Sequence, residues 1–244
     1  MSSLKRKIKK WLLNFVLKGN NVYCNCCEKP FITFLPAGIS KRANARCPNC
    51  GSLERHRLVW NFIKNKTDLL TKPHKLLHSA PELFYYNKFK QNLNIEYVAI
   101  DKYPDKYNYS NETINMDLTD LKFEDNSFDF IICNHVLEHI PNDIDAMKEM
   151  YRVLAKGGKA ILNVPFEKDR ENTLEDFTIT DPAKRLEMFG QTDHVRIYSG
   201  KDYKKRLESV GFTVEQVDYV STFSTSDKFK NGLQEGEDIF YCSK

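Results

Sequence analysis

Between residues 74 and 165 the apolar pattern switches back and forth between a period of about two and a period of about 3.6, which leaves few architectures open to this chain. "HKLLHSA", "IEYVAID", "SFDFIICN" and "KAILNVP" read as short apolar strands, with "ETINMDL" a weaker one. "PELFYYNKFKQN" reads as a helix started by Pro81, and "PNDIDAMKEMYRVLAKGG" as one capped near Asn142 or Asp143 and ended by glycine. Such alternation builds βαβ units on a mostly parallel sheet, an α/β fold. After Pro165, residues 166–198 turn polar, with short helical potential in "DPAKRLEMFG", where active-site loops commonly follow a core strand. A helix in "SGKDYKKRLESVGF" and strands in "TVEQVDYVS" and "EDIFYC" close the chain, with "TFSTSDKFKNGLQEG" an exposed loop between those strands.

Ahead of this pattern, residues 21–53 carry Cys24, Cys27, Cys47 and Cys50 as two CxxC pairs around a short strand or hairpin that turns at Pro36-Ala37-Gly38. Two such knuckles can set four thiolates tetrahedrally around zinc, stabilising a unit too small for its own core. Four thiolates leave no open position, so this zinc is expected to be structural; a labile disulfide pair and an iron centre are the alternatives, and Cys26 is an alternate ligand or a bystander. The odd total of seven cysteines and the absence of a secretory leader favour a reducing, cytoplasmic setting. Residues 54–72 then read as a linking helix, with Ser52 as its cap.

Residues 1–20 form an amphipathic basic helix, capped by Ser2 or Ser3 and ended at Gly19-Asn20. Leu4, Ile8, Trp11, Leu12, Phe15 and Val16 lie on one face, and Lys5, Arg6, Lys7, Lys9 and Lys10 mostly on the other. Three readings stay open: the stripe packs on the main domain, it touches a membrane surface and makes the protein membrane-peripheral, or the helix is a nucleic-acid arm. No segment approaches the length of an apolar membrane span. The formal charge of +4, from 37 Lys and Arg against 33 Asp and Glu, is too small to imply nucleic acid by itself. A local basic patch of Lys41, Arg42, Arg46, Arg55 and Arg57 beside the cysteines keeps a nucleic-acid-binding or RNA-modifying role as an alternative, although no aromatics are interleaved as stacking platforms.

Asp101 ends the second strand of the sheet, where an acid can accept both ribose hydroxyls of a nucleoside. Asp117, followed by Leu118, comes after the next strand and suits the amino group or ring edge of the same ligand; the strand "SFDFIICN" then displays Asn134 and His135 at its exit. The run "FEDNSFDFIICNHVLEHIPNDIDAMKEMYRVLAKGGKAILNVP" resembles the class I S-adenosylmethionine-dependent methyltransferases of the small-molecule group. The cysteine pairs, the "APE" turn and a late "DHVR" segment resemble a subset of that group with a zinc module in front. The resemblance covers about residues 74–220. It implies a Rossmann-like, seven-stranded sheet with its last strand antiparallel over residues 73–244, residues 166–198 being a substrate-loop insertion.

The resemblance also implies a glycine-rich turn against the methionine part of S-adenosylmethionine, where this chain has "HSAPE". Ser79 and Ala80 are small enough for close approach, Pro81 can open a helix whose free amides face a carboxylate, and Glu82 can receive the methionine ammonium; His78 precedes them. In "DHVRIY", His194 is the candidate base, Asp193 its orienting acid, Arg196 the holder of an acidic acceptor group and Tyr198 a further hydroxyl. The other reading of that segment is an Asp193–Arg196 ion pair pinning the loop. His135 is the rival base, His139 is assigned to helix-start packing, and Arg185 is a weaker anion contact. The expected reaction is methyl transfer to an oxygen or nitrogen of a small or glycan-like, acidic acceptor. A non-catalytic S-adenosylmethionine-binding protein is the further alternative.

Overall fold

The computed structural model describes residues 3–107 and 112–244; Ser2 lies outside them, as do the side chains of Leu4, Lys5, Arg6, Lys7, Lys9 and Lys10. The chain divides into two compact units, residues 1–70 with 218–237, and residues 71–217 with 238–244.

In the first unit, α1 (Ser3–Val16) is followed by two antiparallel hairpins, β1 (Val22–Cys24) with β2 (Lys29–Phe31) and β3 (Leu35–Ala37) with β4 (Arg42–Arg46), and by α2 (Glu54–Lys66). Ile8, Trp11, Leu12, Phe15 and Val16 of α1 remain exposed, so its apolar stripe is not packed away. Ser52 does not cap α2: Leu53 holds the cap position, its amide donating to His56 Nδ1 at 3.1 Å. Nor is the stretch after residue 220 an open loop. It forms α7 (Thr225–Asn231), because Ser224 caps it and Gly232, at φ +55°, ends it.

Arg57 joins these pieces. Fully buried, it donates from Nε to Asn231 O at 2.7 Å, from Nη1 to Ser52 O at 2.8 Å, and from Nη2 to Ala45 O and Gly232 O at 2.8 and 2.7 Å, while its guanidinium lies 4.2 Å over the Phe34 ring. Carbonyl oxygens from three segments thus replace the water around one charge. Arg42 is likewise committed, to Glu54 at 2.9 Å. Of the expected basic patch, two of its five cations therefore serve the fold.

The second unit holds a seven-stranded sheet of β5 (His74–Ser79), β6 (Ile95–Asp101), β7 (Ile114–Asn115), β8 (Phe128–Asn134), β9 (Leu154–Asn163), β13 (Thr213–Val217) and β14 (Ile239–Ser243), in the order β13-β14-β9-β8-β5-β6-β7. All neighbours pair parallel except at β14, which runs antiparallel to both β9 and β13. The helices α3 (Leu83–Lys90), α4 (Asp143–Val153) and α6 (Gly200–Ser209) complete the crossovers. On α4 the buried Asp143, Ala146, Met147, Met150 and Val153 recur at helical spacing, so one stripe meets the core. That helix stops before its glycines: β9 begins at Leu154, paired with Phe128, and the extra residues up to Lys159 loop out through Gly157 at φ +79°. Strand pairing overrides the helical pattern there. Pro81 likewise stands outside α3, whose cap is Glu82.

Residues 166–199 add a small sheet in which β12 (Arg196–Ser199) runs between β10 (Phe166–Glu167) and β11 (Leu174–Glu175), with α5 (Pro182–Phe189) between β11 and β12. Arg196 holds this insertion to the turn after β8. Its buried guanidinium donates from Nη1 to the carbonyls of Leu137 (2.9 Å) and Ile140, from Nη2 to Pro141 O (2.7 Å), and from Nε to Glu175 Oε2 (2.9 Å). Arg206 reaches Glu175 at 2.8 Å and Asp143 at 3.1 Å, and the buried Tyr198 hydroxyl donates to Asp143 Oδ2 at 2.6 Å. Arg196 and Tyr198 are therefore corrected from acceptor contacts to internal fasteners, and the partners of Arg196 are Glu175 and Asp143, not Asp193.

Burial alone would raise the Glu175 carboxyl, but the Arg206 and Arg196 guanidiniums outweigh it and hold it below the ordinary value of 4.5. A depressed carboxyl stabilises the fold above its unfolded-state value, and the gain is lost as pH falls through the folded value. Glu175→Gln is expected to cost about 1–3 kcal/mol at pH 7, with the deficit in melting temperature shrinking towards zero as the pH drops below about 4; a deficit that persists unchanged in acid would contradict this assignment.

Candidate functional site

The chain leaves β5 towards β6 and β7 and returns to β8 on the other side of β5, so the carboxyl ends of β5 and β8 flank the point where strand order reverses, the place where open α/β sheets bind ligands. Ser79 ends β5 and is buried. Ala80 follows at φ +47°, its amide donating to Ile100 O at 2.9 Å. This is the left-handed backbone that favours glycine, held here by an alanine at a cost of about 1–2 kcal/mol.

His78, directly before it, points the other way. Its ring is fully buried against Tyr85, Phe89 and Tyr97, with Nδ1 2.9 Å from the Tyr97 hydroxyl and Nε2 3.1 Å from Glu82 Oε2. Both ring nitrogens are thus taken up, one by the Tyr97 hydroxyl and one by the Glu82 carboxylate. His78 is therefore corrected from a cofactor contact to the support that aims Glu82, which keeps its place at the turn.

Asp101 ends β6 with Oδ1 accepting from the Tyr103 amide at 2.6 Å. Burial raises its carboxyl above the ordinary value, with that amide pulling the other way. Asp117 accepts from the Thr119 amide and hydroxyl at 3.0 and 2.9 Å and pairs with Lys102 at 2.7 Å. Burial would raise it, yet Lys102 and Thr119 prevail and lower it. Leu118 beside it is buried in the core cluster. Asn134, at the end of β8, accepts from Asn163 Nδ2 at 3.1 Å, while its own buried Nδ2 has no hydrogen-bond partner among the described residues. A buried amide donor in that state is costly unless something else accepts from it.

Beyond Asn134 the turn gathers four ionisable side chains. His135 sits at φ +54°, with Nδ1 3.6 Å from Glu138 Oε1. His139 and His194 each place Nε2 3.9 Å from the same oxygen, their rings edge to face at 4.7 Å between centroids. Val195 donates its amide to Glu138 O at 3.0 Å, which draws "DHVR" onto the "LEHI" turn. Asp193 serves His139, not His194: its carbonyl and carboxylate lie 3.2 and 3.5 Å from His139 Nδ1. His194 is buried, and burial lowers its pKa, with the Glu138 carboxylate pulling the other way. Arg185 stands apart on α5, donating to Ile179 O at 2.8 Å. The sequence reading passed over Glu138 altogether and gave His139 to packing; the HxxEH spacing on a turn leaving a core strand was the available signal.

In the first unit, Cys24, Cys27, Cys47 and Cys50 bring their sulfurs within 4.8 Å of one another, with Cys24–Cys50 and Cys27–Cys47 both at 3.6 Å and all seven cysteines free thiols. Their local folds match. Glu28 N donates to Cys24 O and Gly51 N to Cys47 O, and each residue following the second cysteine takes a left-handed φ, +57° at Glu28 and +78° at Gly51. The Ser52 hydroxyl lies 3.2 Å from both Cys24 Sγ and Cys50 Sγ. Cys26 turns away towards His56 O.

Residues 79–217, more than half of the chain, match a family model described as a methyltransferase domain. Among curated proteins, the chain is 44% identical over 55 residues to a demethylmenaquinone methyltransferase of Staphylococcus carnosus, covering 22% of this chain and 23% of that one. It is 32% identical over 124 residues to the ubiquinone/menaquinone biosynthesis C-methyltransferase UbiE of Rickettsia bellii, covering 50% and 44%. The chain thus spans less than half the length of these relatives. Among solved structures, an S-adenosylmethionine-dependent methyltransferase from Archaeoglobus fulgidus superposes with a TM-score of 0.50 at 14% identity, covering 78% of this chain and 94% of that one; the (4+2)-cyclase SpnF gives 0.50 at 14%, covering 77% and 80%. At these identities the structures share the fold alone. With the sheet order and the turn after β5, the family match shows that the chain belongs to the class I S-adenosylmethionine-dependent methyltransferases.

Proposed function

We propose that this protein transfers the methyl group of S-adenosylmethionine to an oxygen or nitrogen of a small-molecule acceptor. The observation that carries the reading is the conjunction, at one edge of the sheet, of the left-handed Ala80 turn, the buried Asp101 carboxylate and the unpartnered Asn134 amide. Those donors and acceptors fit the cofactor's parts: Asp101 the ribose hydroxyls, Asn134 Nδ2 and Glu82 the carboxylate and ammonium of the methionine end, and Asp117 with Leu118 the adenine. The sulfonium supplies an already activated methyl, so the protein's work is alignment and exclusion of water. His135, 21% exposed, is better placed than the buried His194 to take a proton from a hydroxyl acceptor. With Arg196 and Tyr198 committed internally, Arg185 alone supports an acidic acceptor.

The four cysteines are proposed to hold a structural zinc. Their 3.6 Å separations approach the roughly 3.8 Å between sulfurs of a tetrahedral site with bonds of about 2.3 Å. We further propose that α1, with Trp11 and Phe15 exposed and five cations in its sequence, rests on anionic lipid. No described helix is long and apolar enough to cross a membrane.

Calorimetric titration of the zinc-loaded protein with S-adenosylmethionine and S-adenosylhomocysteine is expected to show micromolar binding that weakens at least tenfold in Asp101→Ala; a folded protein that binds neither overturns the reading. Metal analysis should find one zinc per chain, lost together with thermal stability in Cys47→Ser. Vesicles containing anionic phospholipid should sediment the wild-type chain but not a Trp11→Glu, Phe15→Glu variant, whereas neutral vesicles should sediment neither.

A further inference from the structure

We propose that Glu138, His139 and His194 bind a divalent first-row transition cation at the turn following β8, a site separate from the four cysteines and independent of the methyltransferase reading. The three side chains bring one ligand atom each to within 4.8 Å of one another. Two imidazoles and a carboxylate form a donor set used for zinc, iron(II) and related ions.

The hydrogen bonding around these groups is what points to a cation. His139 Nδ1 is taken up by Asp193, through its carbonyl at 3.2 Å and its carboxylate at 3.5 Å. The Nε2 of the same ring faces Glu138 Oε1 at 3.9 Å. His194 turns Nε2 to the same oxygen at 3.9 Å, and among the described residues that buried nitrogen has no hydrogen-bond partner; nor has Glu138 Oε2. Glu138 is 1% exposed and His194 4%. Two ring nitrogens and a carboxylate thus converge inside the protein with buried polar atoms left unsatisfied among the described residues, which is costly unless something else meets them.

The surroundings fit the same assignment. Imidazole ligands of metals commonly give their other nitrogen to a carboxylate or carbonyl, which fixes the ring, and Asp193 does this for His139. The Val195 amide bond to Glu138 O and the Arg196 bonds to Leu137, Ile140 and Pro141 lock the two ligand-bearing segments together. Metal bonds of about 2.0–2.2 Å require ligand atoms roughly 3 Å apart, so binding draws the 3.9 Å pairs inward by about an ångström. His135 Nδ1, 3.6 Å from Glu138 Oε1, is available as a fourth donor.

Titration of zinc-loaded protein with cobalt(II), followed by equilibrium dialysis and the visible spectrum, tests this. One further equivalent is expected, with d–d absorption but no thiolate-to-metal charge-transfer band, since nitrogen and oxygen ligands lack that band. His139→Ala, at a partly exposed position, and Glu138→Gln should each weaken binding at least tenfold, and Asp193→Asn about tenfold by loosening the His139 ring. Circular dichroism checks that each variant is folded; if Glu138→Gln is not, His139→Ala decides. No further equivalent in wild type with cobalt, manganese or zinc at millimolar concentration, or unchanged binding in His139→Ala, overturns the proposal. Because the readout is stoichiometry and spectrum, its failure is distinct from a failure to bind S-adenosylmethionine.

Discussion

The arrangement at the sheet's edge depends on one buried guanidinium. Arg196 stands on a strand inserted after the sheet's fifth strand, yet three of its acceptors are carbonyls of the turn after β8. That turn is a short 3-10 segment, Leu137–His139, whose Leu137 carbonyl also accepts from the Ile140 amide. A single planar donor group meets several at once, and Glu175 and Asp143 balance the charge. The result is that "DHV" and "LEH", more than fifty residues apart, face each other across one carboxylate.

The cofactor edge shows how a backbone requirement can outlive its usual residue. The resemblance implies a glycine-rich turn at this place, and glycine is the residue that enters the left-handed region without steric cost. Here Ala80 takes that conformation, held by its bond to Ile100, while His78 behind it braces Glu82. The surrounding structure offsets the strain of a single methyl group. A search for glycines would miss the turn, and a search for φ finds it.

The smaller unit follows a related logic. Beside buried Phe31, Phe34, Trp60, Phe62 and Ile63 it has directional contacts, the matched cysteine knuckles and the Arg57 bonds to three separate segments. The polar stretch 218–237 becomes part of that unit because its helix ends with carbonyls aimed at this arginine. In the sequence that segment scatters Tyr219, Val220, Phe223, Phe229 and Leu233 among turn-forming and charged residues, with no regular apolar stripe to announce a packed helix.

Much of the fold was legible in the sequence because it rests on local rules. Alternating periods name the strands and helices, apolar runs such as "FDFIICN" mark the fully buried central strands, and paired CxxC spacing marks two knuckles, since each depends on neighbours a few residues away. The element ends were less legible: α4 stops at Val153 because β8 pairs with Leu154, a competition no local window contains. Position along a strand was legible at the candidate site, where Asp101 ends β6 and Asn134 ends β8. The site was illegible where partners come from distant segments. Arg196, Tyr198 and His78 looked like ligand contacts because charge and ring chemistry suit ligands equally well; only the tertiary structure showed their polar atoms already satisfied inside the protein. The same long-range packing turned Glu138, an unremarked acid in a turn, into the centre of a buried cluster of histidines.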